Sequence, residues 1–454
     1  MRESLSSRIG FILLSAGCAI GIGNVWRFPY VVGQSGGGWF FPIYLFALAV
    51  VGIPVMMMEF AVGRAARRSL ICAYGILTPG RRGWGFHGIA GLLGNVLLLM
   101  FYTTVTGWML LYFLKMCAGG FVGLDADGIA SAFSATLADP WRQTAAMLAV
   151  TGSAVAVCAL GVQRGLECVT KWMMLALLIL IAVLAVNSVC LDGAGKGLRF
   201  YLLPDFARIR ETGIANVVVN ATNQAFFTLS LGVGAMTIFG SYIDRRRTLL
   251  GEAIHVVLLD TVVAVSAGLI IIPACFAFGI DAGQGPGLVF VTLPTVFSHM
   301  PLGSFWGGLF FLFMFFAAFT TVLAVSECIV AGLMDGFGLS RRKVCALAAV
   351  ALPILALPCI LGFNVWSAFH PLGKGTNVLD LEDFILSDLL LPCGSLAFAL
   401  YCCHRFGWGW KRFLAEANAG EGIRFPDGFR LYCAYGIPAV VLTILVLGVC
   451  RRFG

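Results

Sequence analysis

Gly17-Cys18-Ala19-Ile20-Gly21-Ile22-Gly23-Asn24 puts glycines and an amide in the middle of an apolar run that extends from about residue 9 to residue 32. A continuous helix prefers Leu or Ala there, because each Gly costs about 1 kcal/mol relative to Ala. A second run, near 215–240, is damaged in the same way at Gln224-Ala225-Phe226-Phe227-Thr228-Leu229-Ser230-Leu231-Gly232-Val233-Gly234. Taken singly, either stretch reads equally well as close packing through small residues, with Asn24, Thr228 and Ser230 as interhelical glue. As a pair, in the first and sixth apolar runs, they read as broken helices opening two inverted repeats.

Around these stretches the chain is unlike a soluble protein. Of its 454 residues 60% are hydrophobic and 11% charged, whereas a soluble chain carries roughly 25% charge. A soluble enzyme and a disordered or fibrous protein are both excluded. Runs near the length of a bilayer crossing, about 20 residues, fall at 9–32, 40–64, 88–117, 143–160, 167–190, 215–240, 249–279, 303–334, 343–361, 379–403 and 431–450. The expectation is an all-α polytopic membrane protein of about eleven helices. One domain, 1–454, holds repeat one (about 9–190), repeat two (about 215–403) and an extra helix (about 431–450).

The net charge of +8 comes from short clusters between the runs. Arg64, Arg67, Arg68, Arg81 and Arg82 form one, Arg245-Arg246-Arg247 another, followed by Arg341-Arg342-Lys343 and by Arg405, Lys411 and Arg412. All fall on one side if the N-terminus is cytoplasmic, as the positive-inside rule favours. No basic stripe interleaved with aromatics suggests nucleic acid. The 15 cysteines are scattered without zinc or disulfide spacing, and the five histidines without ligand spacing. No phosphate loop of the Gly-x4-Gly-Lys type offers ATP as an energy source.

A broken helix exposes carbonyls and N–H groups that hydrocarbon cannot satisfy, so the breaks must line a cavity. Free carbonyls suit a hard monovalent cation, and half-helix N-termini suit a carboxylate. The eighth run adds Ala317-Ala318-Phe319-Thr320-Thr321, where residues 317, 320 and 321 share a helical face. Two hydroxyls and a carbonyl there form part of a plausible sodium shell.

Three stretches carry a family resemblance. Gly21-Ile22-Gly23-Asn24-Val25-Trp26-Arg27-Phe28-Pro29-Tyr30 followed by Gly36-Gly37-Gly38, Gly52-Ile53-Pro54 through Glu59 to Gly63-Arg64, and Phe226 through Gly232 together resemble the signature of the neurotransmitter:sodium symporter family. The likeness covers essentially the whole chain and is strongest to eleven-span bacterial amino-acid transporters related to the bacterial leucine transporter. It implies two Na⁺ sites and no organic cofactor. The first would use the Ala19 carbonyl, Asn24, Thr228, Asp260 and the substrate carboxylate. The second would use the Gly17, Ile20 and Ala317 carbonyls with the Thr320 and Thr321 hydroxyls. Tyr102 matches the tyrosine that bonds the substrate carboxylate, and Phe227 the aromatic lid. Arg27 and Asp383 match an external gate, and Arg2, Tyr242 and Asp335 a cytoplasmic one. The side-chain pocket would be lined by Cys18, Ile22, Leu98, Tyr102, Phe227, Ser230, Val233, Thr321 and Val325, with Ala19, Gly23 and Thr228 also facing the substrate.

Three departures sharpen this. Ala264 stands where chloride-dependent members have a serine, and Asp260 supplies a fixed negative charge nearby, so chloride is not expected to be required. Gly21 replaces the acid of monoamine carriers, so the substrate should bring its own carboxylate. In helix 5 Gly165 is present, but Leu175 takes the place of a proline ten residues on. The pocket carries no fixed charge, which disfavours charged side chains and predicts a neutral hydrophobic or aromatic L-amino acid.

Of the remaining intramembrane charges, Glu59 and Glu327 read as partners of backbone or broken-helix N–H groups more than as ion ligands. Glu167 and Lys171 read as an i, i+4 pair. Asp380, Glu382 and Asp388 read as lining the external vestibule. The expected function is sodium-coupled amino-acid symport by alternating access, with the substrate and the lipid bilayer as partners and a bacterial inner membrane as its place. A non-transporting amino-acid sensor is the competing class. An enzyme lacks a constellation of acid, base or metal, and a channel lacks a selectivity filter.

Overall fold

The computed structural model describes residues 3–279 and 287–453. Arg2, expected in the cytoplasmic gate, lies outside the described residues. Among them the ordered elements are helices, with one isolated bridge between Arg247 and Glu421 and no strand. Eleven helical segments form the body. They are α1 (Arg8–Ala19 with Gly23–Gln34), α2 (Phe40–Ala66), α3 (Gly85–Cys117) and α4 (Pro140–Ala159). Next come α5 (Val162–Val189), α6 (Ile214–Thr228 with Ala235–Gly240), α7 (Leu249–Ala277) and α8 (Gly303–Phe337). The last are α9 (Arg341–Leu361), α10 (Val378–Cys403) and α11 (Asp427–Gly448).

Eight of these are unbroken and long and apolar enough to cross a bilayer, and α1 joins them as a pair bent by 58°. The other two are shorter or interrupted for identifiable reasons. α4 spends its first turn on Arg142 and Gln143 after a Pro140 start capped by Asp139. α6 is interrupted between Thr228 and Ala235. α6 begins five helices after α1, and an odd number of crossings reverses direction through the membrane, so α1–α5 and α6–α10 are inverted relative to each other.

Burial sorts the helices by depth. α8 is the central pillar, 78% buried over its most apolar window, and packs along α3 and against the first half of α1. α5 and α11 are 33% buried and turn residues such as Trp172, Val186 and Leu447 outward. Such exposure of large apolar side chains is stable in lipid and not in water. The long, apolar α8 therefore holds a polar centre in place from the inside while its neighbours face the bilayer.

Candidate functional site

Both breaks can be traced to particular residues. In α1 the helix stops at Ala19, and Ile20 turns extended (φ −72°, ψ 101°). A Cβ on Gly21 would overlap the Tyr102 hydroxyl, and one on Gly23 would press into the Phe227 ring. The chain then resumes through a wide turn, Gly23–Arg27, closed from the Phe28 N–H to the Gly23 carbonyl. In α6 the chain leaves the helix through Ser230, Gly232 and Gly234, all left-handed (φ +50°, +101° and +76°). Glycine is at ease there and serine is not.

Asn24, Thr228 and Asp260, contributed by α1, α6 and α7, converge into one buried group. The Asn24 amide donates to the Asp260 carboxylate (2.8 Å) and to the Asp260 carbonyl (3.1 Å). The Thr228 hydroxyl stands 2.9 Å from Asn24 Oδ1 and 3.2 and 3.3 Å from the two Asp260 carboxylate oxygens. Asp260 is fully buried, and among the described residues no Lys, Arg or His forms an ion pair with it. A buried carboxylate held only by neutral donors lacks a countercharge, and three oxygen-bearing side chains in one place suit a small cation.

On the other side of the same break, carbonyls crowd one hydroxyl. Thr321 Oγ1 lies 3.2 Å from the Gly17 oxygen, 3.2 Å from that of Ile20, 3.5 Å from that of Cys18 and 3.4 Å from that of Ala317. Thr320 Oγ1 is 3.0 Å from the Ala317 oxygen. One hydroxyl hydrogen serves one acceptor well, so this cluster is rich in acceptors and poor in donors. Hard cations take such oxygen sets.

Beside Thr321 and the α1 break lies a cavity of about 20 Å³, roughly the room one water needs. Cys18, Ala19, Gly21, Gly23, Leu98, Tyr102, Phe227, Ser230, Val233, Thr321, Leu386 and Leu391 line it. Most of the expected pocket residues are therefore together. Ile22, Thr228 and Val325 are not in the lining. Ile22 instead presents its backbone N–H to Tyr102 Oη at 2.7 Å, and Val325 is fully buried on α8. Leu386 and Leu391 of α10 were missed, because two leucines in an apolar run carry no signal of what they face.

Other missed residues hold the breaks in place. Gln224 donates to the Gly23 carbonyl (2.9 Å), bridging α6 to α1. The Gly232 N–H donates to Glu59 (2.6 Å), and the Gly232 carbonyl lies 3.1 Å from His87 Nε2. Asn95 donates to the Val233 carbonyl (2.9 Å). Glu59 thus takes a broken-helix N–H, as its position suggested. The useful clue for the others was an amide or imidazole inside an apolar run, where an unbonded polar group is costly.

The external end differs from expectation. Arg27 and Asp383 form no ion pair. The Arg27 guanidinium sits 4.2 Å from the Phe227 ring centroid, and the Asp383 carboxylate accepts from Ser387 at 2.6 Å. Glu382 is buried on α10 instead of facing a vestibule, between the half-buried Leu381 and Asp383. At the N-terminal face Tyr242 donates to Glu327 (2.6 Å), and Arg341 grips the same carboxylate with two nitrogens at 2.7 and 2.8 Å. Glu327 therefore bonds side chains, not backbone, because Arg341 at the start of α9 reaches it first. Asp335 is joined to Arg68 (3.0 Å) and the Ser69 N–H (2.6 Å). Glu167 and Lys171 are paired at 2.6 Å, and Glu167 also accepts from Ser6 and Ser7, clasping the N-terminal segment.

Comparisons place this architecture among known proteins. The model of the Sodium:neurotransmitter symporter family matches residues 2–120 and 130–451. An uncharacterized sodium-dependent transporter of Bacillus subtilis (strain 168), YhdH, is 36% identical over 448 residues, covering 98% of this chain and 97% of that one. An uncharacterized sodium-dependent transporter of Methanocaldococcus jannaschii, MJ1319, is 32% identical over 462 residues, covering 98% and 90%. The crystal structure of MhsT in complex with L-phenylalanine superimposes with a TM-score of 0.88 at 34% identity, covering 99% of this chain and all of that one.

Proposed function

From the premise that the chain belongs to the sodium:neurotransmitter symporter family, and so carries out sodium-coupled transport across a membrane, we propose that its cargo is a neutral hydrophobic or aromatic L-amino acid. It moves with two sodium ions by alternating access and without chloride. The observation that carries the reading is Asp260, a fully buried carboxylate that accepts from Asn24 and Thr228 and, among the described residues, pairs with no cation. One sodium ion there supplies the missing positive charge, and the substrate carboxylate completes its shell beside the Ala19 carbonyl. The second sodium ion sits among the Gly17, Ile20 and Ala317 carbonyls and the hydroxyls of Thr320 and Thr321.

Substrate class follows from the lining. Leu98, Val233, Leu386 and Leu391 offer no partner for a charged side chain, and burying one unpaired is expensive. The amino acid bound to MhsT, L-phenylalanine, is of this class. The substrate carboxylate takes the Tyr102 hydroxyl and the amides of the α1 break, and Phe227 covers it. With about 20 Å³ available, α1 and α6 must separate from α3, α8 and α10 before an amino acid enters. Because the carboxylate helps complete one ion's shell, neither ligand binds well alone, and this linkage is reciprocal. Asp260 makes chloride redundant by supplying negative charge beside the first ion.

The protein is a single transporter domain in a bacterial inner membrane, with the N-terminal face in the cytoplasm. The test is uptake of labelled leucine, phenylalanine or tryptophan into proteoliposomes under an imposed sodium gradient. Concentrative uptake that vanishes when potassium replaces sodium, and persists when gluconate replaces chloride, is expected. Dominant competition by Lys, Glu or taurine would refute the substrate class, and binding without accumulation would make the protein a sensor.

A further inference from the structure

The N-terminal face carries many cations, and seven of them are paired. Arg8, Arg64, Arg68, Lys171, Arg245, Arg246 and Arg341 each pair with a carboxylate. The positive-inside rule asks only that basic residues lie on this side, not that they converge. In one place they do. A cleft of about 570 Å³ is lined by Thr78 and Arg81, by the turn from Cys403 to Trp410, and by Lys411, Arg412 and Arg430. Five of its lining residues are cations and none is an acid. Among the described residues, Arg81, Arg405, Lys411, Arg412 and Arg430 form no ion pair. Asp427 is the nearby acid, and it is occupied by the Trp410 indole N–H at 2.6 Å.

The cleft is built and not a loose surface hollow. Arg81 is fixed by the carbonyls of Arg405 (2.6 Å) and Gly407 (3.0 Å), and the Trp84 indole by that of Phe406 (3.2 Å). The Trp408 N–H ties the turn back to the Tyr401 carbonyl at 2.8 Å. Helix Trp410–Ala417 starts at its edge with no side-chain cap and no acid in its first turn, so its free amides add to the positive potential. The location is also informative. The cleft opens where the apolar helix α10 ends at Cys403, as a membrane span gives way to the headgroup region, and the buried Trp408 and Trp410 form part of its wall.

We propose that this cleft binds a phosphate group, that of an anionic phospholipid headgroup. The exposed side chains of Arg405, Lys411, Arg412 and Arg430 surround the phosphate. An anionic leaflet attracts juxtamembrane cations generally. Four unpaired cations around one concavity turn that attraction into a site, with charge-assisted hydrogen bonds to phosphate oxygens.

The test uses the full-length protein, delipidated in detergent and offered equal amounts of phosphatidylglycerol and phosphatidylcholine, with retained lipid measured after gel filtration. Phosphatidylglycerol should be enriched about tenfold. The combined variant Arg405→Gln, Lys411→Gln, Arg412→Gln and Arg430→Gln should bring the ratio close to one. All four side chains are exposed, so the fold should survive, which monodisperse elution verifies. A control variant, Arg342→Gln with Lys343→Gln, removes charge from the same face outside the cleft and should keep the preference. A second arm compares thermal midpoints in sodium phosphate and sodium chloride at equal ionic strength. Stabilisation by inorganic phosphate that the fourfold variant loses, without lipid preference, would uphold the phosphate site and assign it to a soluble ligand. No preference in either arm, or equal loss in the control variant, overturns the proposal.

Discussion

At the α1 break, the groups released by the helix face one another and two threonine hydroxyls. At the α6 break they are taken by fixed side chains. The Gly17, Ile20 and Ala317 carbonyls share the single hydrogen of Thr321. The Gly232 N–H belongs to Glu59, its carbonyl is beside His87, and the Val233 carbonyl belongs to Asn95. Repeats of common design have thus been finished differently. The first break is left with acceptors to spare, which the proposed ion sites use. At the second, Gly232 and Val233 are already bonded by side chains, which suits a stiffer wall. Backbone that is already bonded has little to gain from an ion, so ions bind where bonding is incomplete.

That contrast can be broken by experiment. The largest effect is expected from Asp260→Asn, which removes the buried charge that a cation would neutralise. Sodium-driven uptake should fall about a hundredfold, equivalent to roughly 3 kcal/mol of a charge-assisted interaction, with the thermal midpoint nearly unchanged or raised. Next comes Gly21→Ala, whose methyl would collide with the Tyr102 hydroxyl and with Thr321. The apparent affinity for the amino acid should drop by at least about tenfold, the cost of overpacking a tight site, read from concentration-dependent uptake.

At the other break the signature should invert. Glu59→Ala orphans the buried Gly232 N–H and should cost about 2 kcal/mol of stability, seen as a lowered midpoint in a thermal unfolding assay. Transport by the surviving protein should retain its sodium dependence. If Glu59→Ala instead leaves stability intact and abolishes sodium affinity, the division between cargo break and wall break fails. The smallest effect is expected from Arg27→Ala. The structure gives Arg27 a stacking role over Phe227 and no ion pair with Asp383. A cation–π contact of about 0.5–1 kcal/mol corresponds to a two- to fivefold change in substrate affinity. A far larger loss, rescued by reversing charges at 27 and 383, would restore the paired gate.

The interruptions were legible because glycine in an apolar run is conspicuous, and Asp260, Thr320 and Thr321 because polar groups in such runs need a reason. The structure brings these together as the sequence suggested. What could not be read were matters of direction. Leu386 and Leu391 face the cavity and dozens of other leucines do not, and composition is the same for both. Glu327 could have met backbone or a cation, and only the fold places Arg341, 14 residues on, against it. The resemblance assigned Asp383 to Arg27 as its partner, whereas the Arg27 guanidinium lies on an aromatic face. Pairings across the fold, such as His87 with Gly232, depend on packing between distant segments, which local pattern does not encode.

The brevity of the α1 halves bears on how the protein is made. Arg8–Ala19 has 12 residues, about 18 Å of helix at 1.5 Å per residue, well short of a hydrocarbon core about 30 Å thick. Neither half can be threaded into a bilayer as a span in its own right. The whole segment must therefore enter as one continuous helix, bonded to itself, while the ribosome has yet to supply the residues that later hold it open. Tyr102, Gln224 and Thr321 emerge tens to hundreds of residues afterwards. The interruption is then a late event of assembly, opened by neighbours arriving from the far end of the chain. A truncated protein ending before α8 should still insert its first helix, and should insert it unbroken.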